Sequence, residues 1–209
     1  MTVVRALQIF AMSQKIMISH HVGVALAFRE TSPFADGDFK RDLPAILATV
    51  GLAHDIGNPP FGHQGEYAIG EWFKDNDHEE GGVFAFIKEA EQSPEVSDRM
   101  KQDFLKFEGN ARALRILTKL QIVNDDFGLN LTCGSLAALM KYPTTSEKTC
   151  KSDIATKKFG CFHSDLGVAE EIWEQTGLME GRRHPLTFLM EASDDTLEPS
   201  TWTCAGRLW

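Results

Sequence analysis

Residues 43–66, LPAILATVGLAHDIGNPPFGHQGE, place two histidines, an aspartate and a glutamate directly after an apolar segment. The apolar part has helical periodicity, and we expect this helix to run through Asp55. Pro59 and Pro60 must end it, because proline cannot continue the helical hydrogen-bond ladder. A second helix is expected to begin near Gly62. Burying an aspartate is costly unless a partner compensates its charge, so this stretch predicts either a metal site or a satisfied structural pair.

The spacing of the polar residues suggests which groups act together. His54 and Asp55 are adjacent, so on a helix their side chains diverge by about 100° and further metal ligands must come from other helices. Imidazole with carboxylate oxygens suits Mn, Fe, Co, Zn or Mg. His63 and Glu66 lie three positions apart, on one face of the second helix. A histidine oriented by a carboxylate can donate or accept a proton near neutral pH, which predicts an acid–base pair.

Composition limits the classes of function. The chain has 209 residues, 43% of them hydrophobic, and a formal net charge of −9. Nucleic acid is not expected as a partner, and an anionic substrate would require a bound cation or a local lysine and arginine cluster. The cysteines are dispersed, which is typical of reduced thiols, and no apolar run is long enough for a membrane span. We therefore predict a soluble, cytoplasmic protein.

Patterning along the chain predicts an all-α fold. Helical periodicity is found in the segments 2–30, 39–55, 62–74, 109–123, 134–142, 164–178 and 184–195. Loops are expected at 31–38, 75–82 and 91–99. Periodicity stops after Asp195, so we predict one domain over residues 1–195 and an aperiodic tail over 196–209.

Five sequence blocks, in order, carry a family resemblance. LAHDIGNPPFGHQGE (52–66) closely resembles the signature of the deoxyguanosine triphosphate triphosphohydrolases and related dNTPases, which are metal-dependent phosphohydrolases of the HD superfamily. The other blocks are FEGNARALRILTKL (107–120), GLNLTCGSLAALMKYP (128–143), KKFGCF (157–162) and RHPLTFLMEASDD (183–195). The resemblance implies an all-α, HD-domain helical bundle and a homo-oligomer. It also implies hydrolysis of dGTP, or another dNTP, to a deoxynucleoside and inorganic triphosphate.

The resemblance assigns roles to individual residues. The implied metal ligands are His20, His54, Asp55 and Asp194. The implied catalytic pair is His63 and Glu66. The implied substrate contacts are Asn110, Lys141, Tyr142 and Lys158. The cofactor would be a divalent ion, Mn or Mg first and Co or Fe as alternatives, which polarises the α-phosphoryl oxygen and activates water, while the lysines offset the triphosphate charge.

Several positions depart from the family pattern. The segment containing His20 has Lys15 and Met17 where the family has arginines. Arg112 replaces a usual glutamine, and Glu198 stands where a tyrosine is expected. These departures suggest a shortened or frame-disturbed copy. Two functional alternatives therefore stay open: another HD nucleotide phosphohydrolase, or an inactive or partner-dependent remnant that keeps the helical core.

Individual assignments also have structural alternatives. These are His21 in place of His20, Asp195 in place of Asp194, solvated surface lysines at 141 and 158, core packing for Tyr142, and a helix cap for Asn110.

Overall fold

The computed structural model describes residues 39–78, 82–85, 94–120 and 128–194, with the backbone alone at 39–41 and 94–97. Every regular element in these ranges is helical, which confirms the predicted all-α class. The helices are α1 (Phe39–Ala53), α2 (His63–Asp75), α3 (Pro94–Leu105), α4 (Gly109–Thr118), α5 (Cys133–Leu139), α6 (Leu166–Thr176) and α7 (residues 185–194). Two 3₁₀ turns span Ser146–Lys148 and His163–Asp165.

The chain divides into two compact units. One unit is His54–Arg183, and the other combines residues 1–53 with 184–209. In the second of these, Leu43, Leu47 and Val50 are buried at helical spacing along α1. The predicted domain boundary after residue 195 stays a prediction, since residues 195–209 lie outside the described ranges.

The predicted end of α1 is wrong by two residues. The helix stops at Ala53, and residues 54–57 form a turn in which the Asn58 N–H donates to the Asp55 carbonyl at 3.0 Å. Gly57 gives the physical reason, because its backbone lies directly against α4. A Cβ atom on Gly57 would lie 2.9 Å from the Ala113 Cα and closer still to the Gly109 carbonyl oxygen. The chain leaves the helix to make this backbone approach.

Two other sequence-based boundaries need correction. The loop predicted over 91–99 is helical from Pro94 onward, and Pro94 occupies the first helical position, where a missing N–H costs nothing. The polar composition of this segment concealed the helix. The helix predicted over 134–142 ends instead at Leu139, because the backbone leaves the helical conformation at Met140, where ψ is 88°.

Aromatic and small apolar residues form the core of the unit His54–Arg183. The rings of Phe73, Phe84 and Phe104 lie with centroids 4.8 to 5.9 Å apart, and they pack α2 against α3. A second cluster joins α4 to the segment before α6 and consists of Ala111, Phe159 and Phe162. Helices α5 and α6 pack against each other.

A buried carboxylate on α3 fixes both 3₁₀ turns. Asp103 accepts hydrogen bonds from the Ser146 Oγ and from the His163 backbone N–H, each at 2.6 Å. Burial raises the pKa of Asp103, although these two hydrogen bonds oppose the shift. Since residues 146 and 163 flank Lys158 in the sequence, Asp103 anchors the segment that carries this lysine.

In the described parts of the chain, no helix combines the length and the apolarity that a membrane crossing requires. Cys133, Cys150 and Cys161 are free thiols, and Cys204 lies outside the described residues. Burial raises the pKa of the Cys161 thiol to about 12.

The close approach at Gly57 predicts a large loss of stability on substitution. Gly57→Ala should lower the free energy of unfolding by about 1–3 kcal/mol or more, because backbone atoms must move to admit the methyl group. Urea denaturation followed by circular dichroism measures this change. The control is Gly167→Ala in α6, where a Cβ atom meets nothing within 4 Å. It should be neutral or stabilising by up to about 1 kcal/mol. Equal effects of the two substitutions would contradict the account.

Candidate active site

The first turn of α2 brings His63 and Glu66 together. The helix begins at His63, so residues three positions apart share a face. The His63 Nδ1 lies 2.7 Å from the Glu66 Oε2. The His63 side chain is 80% exposed, whereas that of Glu66 is 9% exposed. The two side chains therefore meet as the sequence spacing predicted, with a buried carboxylate holding an accessible imidazole.

Glu66 also holds the start of α4. Its Oε1 accepts a hydrogen bond at 2.8 Å from the backbone N–H of Gly109, the first residue of that helix. Such N–H groups have no partner within their own helix, and an ionised carboxylate binds them well. A Cβ atom on Gly109 would lie 2.8 Å from this same oxygen, so the position requires glycine. Both oxygens of Glu66 are thus fixed.

The charge state of Glu66 follows from its surroundings. Burial acts to raise the pKa of Glu66, but hydrogen bonds from His63 and the Gly109 N–H, together with the charge of Lys158, outweigh it. The pKa of Glu66 therefore lies below its ordinary value, and the group is ionised at neutral pH. An ionised carboxylate can only accept hydrogen bonds, so the His63 Nδ1 is the donor. The Nε2 atom is left available for proton exchange.

A cavity of about 350 Å³ opens beside this pair. Its charged and titratable lining comprises His63, Glu66, Tyr67, Glu71, Lys106, Glu108 and Lys158. Three of them, His63, Glu66 and Lys158, were predicted as site residues from the sequence. Sequence reasoning missed Glu108, because a glutamate at the start of a helix resembles an ordinary surface residue.

Lys158 and Asn110 meet at the Glu108 carboxylate. The Lys158 Nζ lies 3.0 Å from the Glu108 Oε2 and 3.6 Å from the Glu66 Oε2. The Asn110 Nδ2 donates to the Glu108 Oε1 at 2.6 Å. The alternative of a solvated surface lysine is therefore wrong for Lys158. The helix-cap alternative is also wrong for Asn110, since the cap position is Glu108.

Lys141 and Tyr142 do not line this cavity among the residues that the structure describes. Tyr142 is buried, and the Arg183 guanidinium lies 5.5 Å from its ring centroid. The core-packing alternative is thus confirmed for the ring. Lys141 is half-buried, and its carbonyl accepts a hydrogen bond from the Arg183 Nε at 2.8 Å. Substrate contacts by these two residues stay predictions.

His54 and Asp55 lie past the end of α1, and this changes their geometry. The expected divergence of the two side chains is wrong, because the His54 Nε2 lies 3.2 Å from the Asp55 Oδ2. The Asn58 Nδ2 donates to the other carboxylate oxygen at 2.8 Å. Two ligands that bind one ion at about 2.1 Å and at a right angle stand about 3 Å apart. The separation of these two atoms therefore fits two ligands of one divalent ion, and the alternative of a structural pair stays a prediction.

The other two predicted ligands are placed differently. His20 lies outside the described residues, and Asp194 is half-buried in α7, as the last described residue, in the unit that does not contain His54. Within the described ranges, no group of three or more histidine, cysteine, aspartate or glutamate side chains is arranged to hold a metal ion. The full ligand set stays a prediction.

Known proteins match most of the chain. A protein from Listeria monocytogenes named deoxyguanosinetriphosphate triphosphohydrolase-like protein is 45% identical over 166 residues, which cover 77% of this chain and 34% of the relative. A protein of the same name from Pseudomonas aeruginosa is 41% identical over 74% of this chain and 33% of its own length. The deoxyguanosinetriphosphate triphosphohydrolase of Yersinia enterocolitica is 34% identical over 72% of this chain and 32% of its own length.

The chain thus spans about one third of the length of the curated relatives it matches. The family model described as the HD domain matches residues 17–130. This match covers more than half of the chain. The protein therefore belongs to the HD-domain family, as the sequence resemblance predicted.

Proposed function

We propose that this chain carries the active site of a metal-dependent nucleotide phosphohydrolase that converts dGTP, or another dNTP, into a deoxynucleoside and inorganic triphosphate. The observation that carries the proposal is the hydrogen-bonded pair of His63 and Glu66, which lies within the HD-domain match and lines a cavity. The names of the relatives from Listeria and Yersinia support the substrate class.

The metal-binding part of the proposal rests on chemistry at His54 and Asp55. A divalent ion held by these residues, with His20 and Asp194 as further ligands, would polarise the α-phosphoryl oxygen and activate a water molecule. Nitrogen and oxygen donors suit manganese or magnesium, with cobalt or iron as alternatives. The imidazole of His54 is 8% exposed and the carboxylate of Asp55 is 48% exposed, so one donor is anchored while the other faces solvent.

His63 supplies the proton chemistry. Its Nδ1–H is bound by the ionised Glu66, which orients the ring. The Nε2 atom accepts a proton released by the attacking water and delivers it to the leaving 5′-oxygen. The deoxynucleoside then departs with a neutral hydroxyl group, and His63 returns to its starting state.

Lysine side chains at the cavity offset the charge of the substrate. The net charge of −9 opposes the approach of a nucleoside triphosphate, so local positive charge is needed. Lys106 and Lys158 both line the cavity. They would stabilise the charge that develops on the phosphoryl oxygens during transfer.

The proposed reaction predicts a specific pair of products. Incubation with Mn²⁺ and dGTP should yield deoxyguanosine and inorganic triphosphate, because water attacks the α-phosphorus and the 5′-oxygen leaves. Chromatography of the nucleoside and ³¹P NMR of the phosphate product measure both. Deoxyguanosine monophosphate with pyrophosphate would refute this reaction and favour another HD nucleotide phosphohydrolase. Intact Mn²⁺ binding without turnover would favour the inactive or partner-dependent remnant.

Removing the proton carrier should slow chemistry without affecting the metal. His63→Ala is expected to lower kcat by about 10²–10⁴-fold, the usual contribution of general acid–base catalysis, with unchanged Mn²⁺ affinity by calorimetry. The matched control is Gln64→Ala, an exposed neighbour on the same helix, which should keep the wild-type kcat.

His54→Ala and Asp55→Ala provide the contrast in the same assays. Each should abolish turnover together with Mn²⁺ binding, because a lost ligand removes the ion itself. If His63→Ala also lost Mn²⁺ affinity, His63 would be a metal ligand instead of the proton carrier. If it kept full activity, His63 would have no part in the mechanism.

A further inference from the structure

The Glu108 carboxylate is buried at the start of α4 but does not cap that helix. The residue occupies the cap position with extended backbone angles, φ −136° and ψ 124°, and its side chain makes no capping hydrogen bond. The side chain is only 6% exposed. The N–H of Gly109, at the first position of the helix, is bound by Glu66 instead. The carboxylate of Glu108 is therefore directed to other partners.

These partners come from two parts of the chain. The Asn110 Nδ2 donates to the Glu108 Oε1 at 2.6 Å. The Lys158 Nζ spans the same carboxylate, 3.2 Å from Oε1 and 3.0 Å from Oε2. Glu108 is thus the main partner of the Lys158 ammonium group.

Lys158 and His63 approach the same oxygen of Glu66. The His63 Nδ1 lies 2.7 Å from the Glu66 Oε2, and the Lys158 Nζ lies 3.6 Å from it. The second distance exceeds that of a hydrogen bond by several tenths of an ångström. A small displacement of the ammonium group toward Glu66 would therefore make it compete with the imidazole.

We propose that Glu108 is a positioning residue that holds Lys158 away from the Glu66 Oε2 and so keeps this oxygen for His63. Without the charge of Glu108, the Lys158 ammonium would move onto Glu66, since a half-buried charge is costly without a partner. The exposed His63 ring would then lose the contact that orients it.

Other charged groups at the cavity are engaged elsewhere. The Lys106 Nζ donates to the Ser146 carbonyl at 2.9 Å, and Glu71 accepts a hydrogen bond from Lys74 at 3.5 Å. Neither has a contact with Glu66 or Lys158 at hydrogen-bond distance among the described residues. Among these groups, Lys158 is therefore the one that can compete with His63 for the Glu66 Oε2.

The tautomer of His63 reports this arrangement directly. While the ionised Glu66 accepts from Nδ1, the neutral ring carries its proton on Nδ1. If Lys158 displaces the imidazole, the proton is free to occupy Nε2. Long-range ¹H–¹⁵N NMR of the whole chain without substrate distinguishes the two tautomers, at a pH where the ring is neutral. We expect the Nδ1–H form in the wild type and a majority of the Nε2–H form in Glu108→Gln. An Nδ1–H form that persists in Glu108→Gln would overturn the proposal.

Two variants separate positioning from general effects of charge and stability. Glu71→Gln removes the same charge from the same cavity without touching Lys158, so the Nδ1–H form should remain. The double variant Glu108→Gln/Lys158→Met has no competing ammonium and should also keep the Nδ1–H form, which tests the proposal even if Glu108→Gln alone does not fold. A tautomer change in either variant would show that Lys158 is not the displacing group.

The effect on rate rests on the proposed function, whereas the tautomer does not. With dGTP, Glu108→Gln should lower kcat by about 10²-fold, with KM changed only a few-fold, because the proton carrier is misoriented while the substrate still binds. A tautomer shift in a protein whose wild type does not hydrolyse dGTP would support the positioning role and refute the proposed function. A wild type that hydrolyses dGTP, together with a Glu108→Gln variant that keeps the Nδ1–H form, would support the proposed function and refute the positioning role.

Discussion

The ionised carboxylate of Glu66 is the constraint on which the site depends. One oxygen holds the first N–H of α4, and the other holds the imidazole of His63. Burial alone would raise the pKa of Glu66, but these donors and the charge of Lys158 bring it below its ordinary value. The same contacts thus do two things. They join α2 to α4 within the unit, and they orient the residue that we propose as the proton carrier.

The glycine-rich sequence around this carboxylate has a structural explanation. Gly57 lies against the backbone at the start of α4, and Gly109 lies against the Glu66 carboxylate and the Asn58 side chain. Side chains at either position would separate the two segments. Elsewhere in the same unit, Asp103 anchors the turns that flank Lys158 in the sequence. Close backbone contacts therefore hold the segments that carry the charged groups of the cavity. Such fixed positions suit a site that stabilises charge with preorganised groups.

The spacing of residues along one helix predicted part of this site from the sequence. The parts that depend on contacts between distant segments could not be predicted in this way. The pairing of His63 with Glu66 follows from their positions on one helix. The contact between His54 and Asp55 was missed, because it depends on where α1 ends, and that end is set by the approach of Gly57 to α4. Glu108 was missed because its partner, Lys158, lies 50 residues away. The all-α class was predictable from periodicity, whereas α3 was concealed by its polar composition.

The most direct test of the central claim is the pH dependence of the stability that Glu66 provides. A glutamine has one acceptor oxygen and cannot serve both donors, so Glu66→Gln should lower the free energy of unfolding by about 1–3 kcal/mol at neutral pH. Because the pKa of Glu66 in the folded protein lies below its ordinary value of 4.5, this difference should be complete above that pH. It should then shrink as the pH falls through the lower, folded-state pKa. Urea denaturation of both proteins from pH 7 to pH 3 measures it. A difference that stays constant over this range would contradict the account.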